Sequence, residues 1–269
     1  MVASVFDSAS SNLLKKNRDE LINLIANQEM SYPMEDRLAH ATNGSLKFTD
    51  AYLLKNLLYK YKPSTILEIG SFLGFSTRWL LEVSSSWNAK VTAIDPNIRH
   101  RIFDNPRWFV ERYNSKFYPN RLEIISGFFG EYSNEYAYYD YEHYEPKQDR
   151  NFVDRLLNTR EIIDENWSKK FDFIFIDGDH SYEAAMKNFA IALNLLNDGG
   201  CIAFHDAVSW EEVNKALQDI KLEFKDKAIV KIYGNTIVKM YSNKILGKVM
   251  RKLKIPSEVD GIGFFKLLK

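Results

Sequence analysis

The sequence predicts an α/β domain whose mostly parallel, seven-stranded sheet ends in a C-terminal antiparallel hairpin. Three observations predict it. Short apolar runs at 65–69, 91–94, 122–125, 171–176 and 201–205 alternate with stretches of helical period, the pattern of βαβ units. The run Phe171-Asp172-Phe173-Ile174-Phe175-Ile176 is almost continuously apolar, as a strand covered on both faces requires. The segment 228–241 reads as two strands about Gly234-Asn235, a hairpin signal.

Taken in order, residues 1–45 form an N-terminal helical extension. Within it, Leu13, Leu14, Leu21, Leu24 and Ile25 recur at helical spacing over 11–30. A polar break at Asn43-Gly44-Ser45 precedes the main domain, 46–242. That domain opens with a helix over 49–61, which Thr49 or Asp50 caps and Pro63 ends. Further helices are expected near 75–84, 98–117, 150–166, 182–196 and 209–223. The region about 131–148 is an insert between strands, with six tyrosines between Glu131 and Tyr144. Two readings of it stand, a packed surface excursion or dimer contact, and a lid over the substrate. Residues 243–269 read as a basic helix and tail. There Leu246, Val249, Met250 and Leu253 lie near one face, with Lys248, Arg251, Lys252 and Lys254 around it. Such a helix docks by its apolar face or meets a membrane surface or polyanion.

A chain of 269 residues, 45% of them hydrophobic, buries a full core. The 36 basic and 36 acidic residues cancel, so no global field recruits nucleic acid. The single cysteine, Cys201, suits a reducing compartment. It lies in the apolar run Gly200-Cys201-Ile202-Ala203-Phe204, where a core residue is expected rather than a nucleophile. Neither a secretory signal nor an 18-residue apolar span is found, which places the chain in the cytoplasm by expectation.

The first strand runs into Glu68-Ile69-Gly70-Ser71-Phe72-Leu73-Gly74-Phe75-Ser76-Thr77. Glycines at a strand–helix turn let a ligand approach the backbone, and the helix start offers free N–H groups. A dinucleotide fingerprint needs glycine at 70, 72 and 75, and here Phe72 and Phe75 stand instead. Glu68 before the turn repels a pyrophosphate and attracts a cationic amino-acid group, which favours a ligand carrying an ammonium and a sulfonium. Asp95, ending the second strand, is placed for ribose hydroxyls. Gly127 and Phe128 either border an adenine or form a plain turn.

The most distinctive stretch is Ile176-Asp177-Gly178-Asp179-His180-Ser181-Tyr182-Glu183, followed one strand later by His205-Asp206. Neighbouring strand ends bring Asp177, His205 and Asp206 within reach of one another. Oxygen-rich sets suit Mg2+, Mn2+ or Ca2+, and a histidine shifts the preference toward transition metals. The other reading has Asp179 capping the next helix while His205 and Asp206 hydrogen-bond loop backbone.

These motifs together resemble the class I methyltransferases, a Rossmann-like fold. They are most similar to the metal-dependent O-methyltransferases, including the macrolide and aminocoumarin sugar enzymes and, more distantly, catechol O-methyltransferase. The resemblance covers about 45–241 and implies S-adenosylmethionine as cofactor. It implies that Glu68, Gly70, Ser71 and Gly74, with Ser76 of the same motif, hold the methionine end, and that Asp95 holds the ribose. Gly127, Phe128 and Asp177 complete the expected cofactor set. Asp177 and Asp206 are implied metal ligands with His205 beside them, for Mg2+ or Mn2+. In the sugar enzymes the position of His205 is usually a second carboxylate, so this chain departs there. The implied base is Asp179 or His180. His180 is preferred because an imidazole titrates near neutrality.

The expected activity is O-methylation of a small-molecule hydroxyl, on a sugar, phenol or natural-product intermediate, with a homo-oligomer left open. Two other classes share features. A metal-dependent glycosyltransferase would use Asp177-Gly178-Asp179 as an Asp-x-Asp motif, though the Glu68 turn disfavours its nucleotide diphosphate. An interaction module would keep the fold without turnover.

Overall fold

Side-chain alternation along the central strands sends neighbouring residues into two separate cores, which makes a three-layer molecule. The computed structural model describes residues 7–130, 134–145, 147–252 and 258–268. The strands are β1 (Thr65–Ile69), β2 (Lys90–Asp95), β3 (Leu122–Phe129), β4 (Glu161–Ile163), β5 (Phe171–Ile176), β6 (Leu196–Phe204), β7 (Ala228–Tyr233) and β8 (Ile262–Leu267). They form one sheet in the order β4-β3-β2-β1-β5-β6-β8-β7. The pairs from β4 to β6 are parallel, and β8 lies antiparallel between β6 and β7.

Helices α1 (Ser8–Ala26), α2 (Met34–Asn43), α3 (Phe48–Tyr61), α4 (Phe75–Val83) and α5 (Pro106–Tyr113) precede or interleave with the first strands. Ile66, Phe173, Phe175 and Ala203 face the core shared with α1, α3, α4 and α5. Leu67, Ile174, Ile176 and Ile202 face the opposite core, under α8 (Tyr182–Leu195) and α9 (Glu211–Glu223). The tyrosine-rich insert holds α6 (Asn134–Tyr144), which packs with α7 (Arg150–Leu157) over Ile98 and Phe128. Residues 131–133 and 146 of that insert lie outside the described residues.

The mostly parallel α/β architecture with an antiparallel finish is as expected, with eight strands rather than seven. The extra one is β4, which lengthens the edge beyond β3 and cuts the helix expected over 150–166 short at Leu157. The helix expected over 98–117 starts only at Pro106. Helix α2 falls within the extension expected to be helical, after the one helix placed there over 11–30.

The hairpin about Gly234-Asn235 does not form. Gly234 takes φ +112° and caps α10 (Asn235–Ser242), which α11 (Lys244–Lys252) follows. The partner of β7 comes instead from 262–267, inside what reads in sequence as a tail. The reason is burial. Ile262, Phe264 and Phe265 are at most 1% exposed, so this run fills an interior sheet position that 235–241, with only Ile237 buried, cannot. On α11, Ile245 and Leu246 are exposed; Leu253 and Lys254 and the side chains of Val249 and Met250 lie outside the description. Cys201 is a core residue, its thiol pushed up by burial to about 12. Among the described residues no helix is long and apolar enough to cross a membrane.

Candidate active site

Parallel strands deliver their last residues to one edge of the sheet, and here the ladder runs a residue past them. The Gly70 N–H donates to the Ile94 carbonyl (2.8 Å), Asp177 N–H to the Ile69 carbonyl (2.8 Å) and His205 N–H to the Ile176 carbonyl (2.9 Å). Backbone pairing thus sets Gly70, Asp177 and His205 side by side at the ends of β1, β5 and β6. Strand order also reverses at β1, the place where open α/β sheets bind ligands.

Gly70 has φ +85°, and a Cβ there would lie 2.0 Å from the Asp177 carbonyl oxygen, so the close approach of β1 and β5 requires glycine. Ser71 and Phe72 donate their N–H groups to Asp95 Oδ2 (3.0 Å each), and Asn97 donates its N–H to Oδ1 (2.8 Å). Asp95 therefore ties the turn to β2. With three of about four lone-pair sites taken, it keeps room for about one more donor. Burial pushes its carboxyl up, against those hydrogen bonds.

Glu68 has no exposed surface, and Thr77 Oγ1 donates to its Oε2 at 2.5 Å. Burial raises its carboxyl to about 8, against the hydroxyls of Ser76 and Thr77. Glu68 Oε1 and Ser71 Oγ are buried with no hydrogen-bond partner. Such orphaned polar atoms fit a ligand's amino-acid end. Gly74 caps α4 against Asn114 and Val110. Gly127 pairs with Glu161, and Phe128 is buried in the cluster under α6 and α7; Ser126 is the residue there that bonds Arg107 and Asn97.

Asp177, His205 and Asp206 are brought together. His205 Nδ1 lies 3.0 Å from Asp177 Oδ1 and 3.1 Å from Asp206 Oδ2. Adjacent donors on an octahedral ion with bonds of about 2.1 Å stand about 3.0 Å apart, so the set fits a divalent cation. Asp206 adopts a left-handed φ of +57°, an outlier of the kind that gathers at functional sites. His180 Nε2 lies 2.6 Å from Asp206 Oδ2, though not aligned for a hydrogen bond, and its ring stacks on Trp210. Burial by itself would lower His180, but Asp177 and Asp206 carry it up to about 9. His205 is raised for the same reasons, and the two histidines hold Asp177 and Asp206 below the usual carboxylate range despite burial.

Asp179 makes no ion pair with His180 or His205 and is not in the acidic cluster. It is exposed and accepts the Ser181 N–H (2.8 Å), while Ser181 itself caps α8. Of the two carboxylates of the Asp-x-Asp motif, Asp177 alone belongs to the cluster. Sequence reasoning missed Asp50, which was read as a helix cap. The N-cap is Lys47, and Asp50 is fully buried, its carboxylate accepting the N–H groups of Asp260 and Gly261 (2.9 Å each) beside His205. The available signal was phase, since Asp50 shares the apolar face of α3 with Leu54, Leu57 and Leu58.

Above the turn, His100 meets the Phe72 ring edge-on and pairs with Asp140 of α6 (3.0 Å). Tyr32 donates its hydroxyl to the Tyr144 carbonyl (3.1 Å), joining α6 to the N-terminal extension. A cleft between α1, α2 and the start of α4 is lined by Leu21, Ile25, Leu46, Phe48, Arg18 and Lys47.

A family model described as a methyltransferase domain matches residues 67–207, more than half of the chain. Comparison with curated protein sequences gives no match. Among solved structures, the chain is similar to an SAH-bound methyltransferase of Podospora anserina, with 13% identity and a TM-score of 0.52 over 98% of this chain and 89% of that one. It is also similar to an O-methyltransferase of Bacillus cereus in complex with SAH, with 16% identity and a TM-score of 0.51 over 98% and 92%. Both likenesses are of fold.

Proposed function

The chain belongs to the methyltransferase-domain family, and from that premise we propose that it methylates a hydroxyl of a small molecule with S-adenosylmethionine as donor. The observation that carries this reading is the pocket at the end of β1. Glu68 is buried there with an unpaired Oε1, Ser71 has an unpaired hydroxyl, and no Lys or Arg among the described residues pairs with Glu68. A ligand with an ammonium and a sulfonium supplies the missing positive charge. When bound, it also supplies the methyl group.

The residues of the chain do the rest. The Gly70–Ser71 turn admits the ligand close to backbone, with Gly74 and Ser76 shaping the start of α4. Asp95 accepts one ribose hydroxyl, the share its remaining lone pair allows. Asp177, His205 and Asp206 would hold a divalent cation, Mg2+ or Mn2+, which when bound lowers the pKa of an acceptor hydroxyl and of His180 alike. His180 takes the acceptor proton at Nε2, and Asp179 is left to the turn. The acceptor sits beside the acidic corner under a roof of α6, which Tyr32 ties to the N-terminal extension and Asp140 to His100 above the turn. Orientation is the main contribution, because an in-line transfer needs little covalent help. The single buried thiol fits the reducing cytoplasm.

Two measurements test this. Calorimetry with S-adenosylhomocysteine is expected to show one site, and no binding would overturn the cofactor. Labelled methyl transfer to a panel of phenols and sugars is expected to stop on chelation and return with Mn2+ or Mg2+. Full activity after chelation would overturn the metal.

A further inference from the structure

We propose that Asp50, on α3, is a positioning residue that makes His205 a nitrogen donor to the Asp177–Asp206 corner, giving that corner a preference for Mn2+ over Mg2+. The inference rests on reading the corner as a divalent-cation site and adds a residue which that reading does not contain.

His205 is 6% exposed, and carboxylates face both of its ring nitrogens. Nδ1 faces Asp177 and Asp206 at 3.0 and 3.1 Å. Nε2 has no hydrogen-bond partner and lies 3.6 Å from Asp50 Oδ2. Asp50 is held in place, since its two oxygens accept the N–H groups of Asp260 and Gly261 on the turn into β8. Nδ1 hydrogen-bonds the Asp177 carboxylate, so in the metal-free protein a ring proton stands on Nδ1. Without that proton, Nδ1 would point a lone pair at carboxylate oxygens 3.0 and 3.1 Å away, which repel it unless a cation sits among them. A metal ion replaces that proton and leaves the Nε2 proton facing Asp50.

A ligating histidine whose other nitrogen donates to a carboxylate has a fixed ring and a more basic donor atom. At 3.6 Å the Asp50–His205 bond is not formed, and loading the corner is expected to close it. An imidazole donor favours Mn2+ over Mg2+, which prefers oxygen. Asp260 stands on the same side of the ring, within reach of Nε2 and Asp50, so a second ion bound there is the rival arrangement.

The test uses full-length metal-free protein titrated with Mn2+ alone and Mg2+ alone. Wild type is expected to bind one Mn2+ with a nitrogen coupling in its pulsed EPR spectrum. Asp50→Asn is expected to weaken Mn2+ by about 10- to 100-fold and to lower the Mn2+ to Mg2+ ratio. In a His205→Asn background, Asp50→Asn is expected to add nothing. Mn2+ bound without nitrogen coupling, or an Asp50→Asn protein with unchanged affinity and ratio, would overturn the proposal. Two Mn2+ ions, one lost in Asp50→Asn, would make Asp50 a direct ligand and overturn it too. Should Asp50→Asn not fold, nitrogen NMR of zinc-loaded wild type decides: a ring proton on Nε2 of His205 is expected, and one on Nδ1 overturns it. If wild type binds no divalent cation, the metal reading fails instead, and the proposal falls with it.

Discussion

The glycine-turn corner at the ends of β1 and β2 and the acidic corner at the ends of β5 and β6 share one sheet edge but handle buried charge in opposite ways. In the first, Glu68 and Asp95 meet hydroxyls and backbone N–H groups, and burial pushes both carboxyls up, Glu68 to about 8. In the second, Asp177 and Asp206 meet two imidazoles and are held low, while His180 rises to about 9. Burial raises a carboxyl, and in the second corner the two imidazoles outweigh it. The first corner therefore suits a cationic ligand. The second already carries protons that a metal ion can replace.

The largest expected effect breaks the acidic corner. His180→Ala is expected to lower turnover by about 100- to 10,000-fold while leaving S-adenosylhomocysteine affinity intact. Asp179→Asn, altering an exposed residue of the turn before α8, is expected to keep most turnover. Single-turnover methyl transfer checks both, and a dead Asp179→Asn with an active His180→Ala reverses the assignment.

A second experiment sharpens the contrast through pH. Glu68 has a folded pKa of about 8 against 4.5 in the unfolded chain, so the fold favours its protonated form. Its contribution is fully present below pH 4.5 and is lost as pH rises through 8, by on the order of a few kcal/mol. Glu68→Gln mimics the protonated acid, so its unfolding free energy should lose that slope in denaturant titrations across the window. Calorimetry in buffers of different ionisation enthalpy should show proton release on cofactor binding in wild type and none from this site in Glu68→Gln.

A smaller effect is expected at Asp95. Asp95→Ala should weaken S-adenosylhomocysteine by about 10- to 100-fold, the equivalent of one charge-assisted hydrogen bond. Unchanged affinity by calorimetry would confine Asp95 to tying the Ser71–Phe72 turn. The smallest concerns the roof. Tyr32→Phe removes the hydroxyl that donates to Tyr144, and a loss of about 0.5–1.5 kcal/mol should appear in the acceptor KM and not in cofactor affinity. An unchanged KM would return the tyrosine-rich helix to a packing role.

Much of this was legible in the chain. Apolar runs such as 171–176 announce interior strands, because a strand covered on both faces has no polar side to show. The residues after those runs, Gly70, Asp177 and His205, follow from the same reading. The C-terminal strand was not legible. The β-branched run Thr236-Ile237-Val238 looks as much like a strand as Ile262–Leu267 does, and only burial between β6 and β7 separates them. Nor was it legible that His180 meets Asp206 while Asp179 binds the turn before α8, since the two are neighbours in sequence.

The sequence by itself determined which residues stand at the strand ends, because parallel pairing repeats a local pattern and carries each strand's last residue to the same edge. Only the tertiary structure decided which charges answer one another there. Asp50 reaches His205, and α6 reaches Tyr32, because the phase of a helix against a sheet is set by faces that pack from distant parts of the chain. No local spacing records that contact.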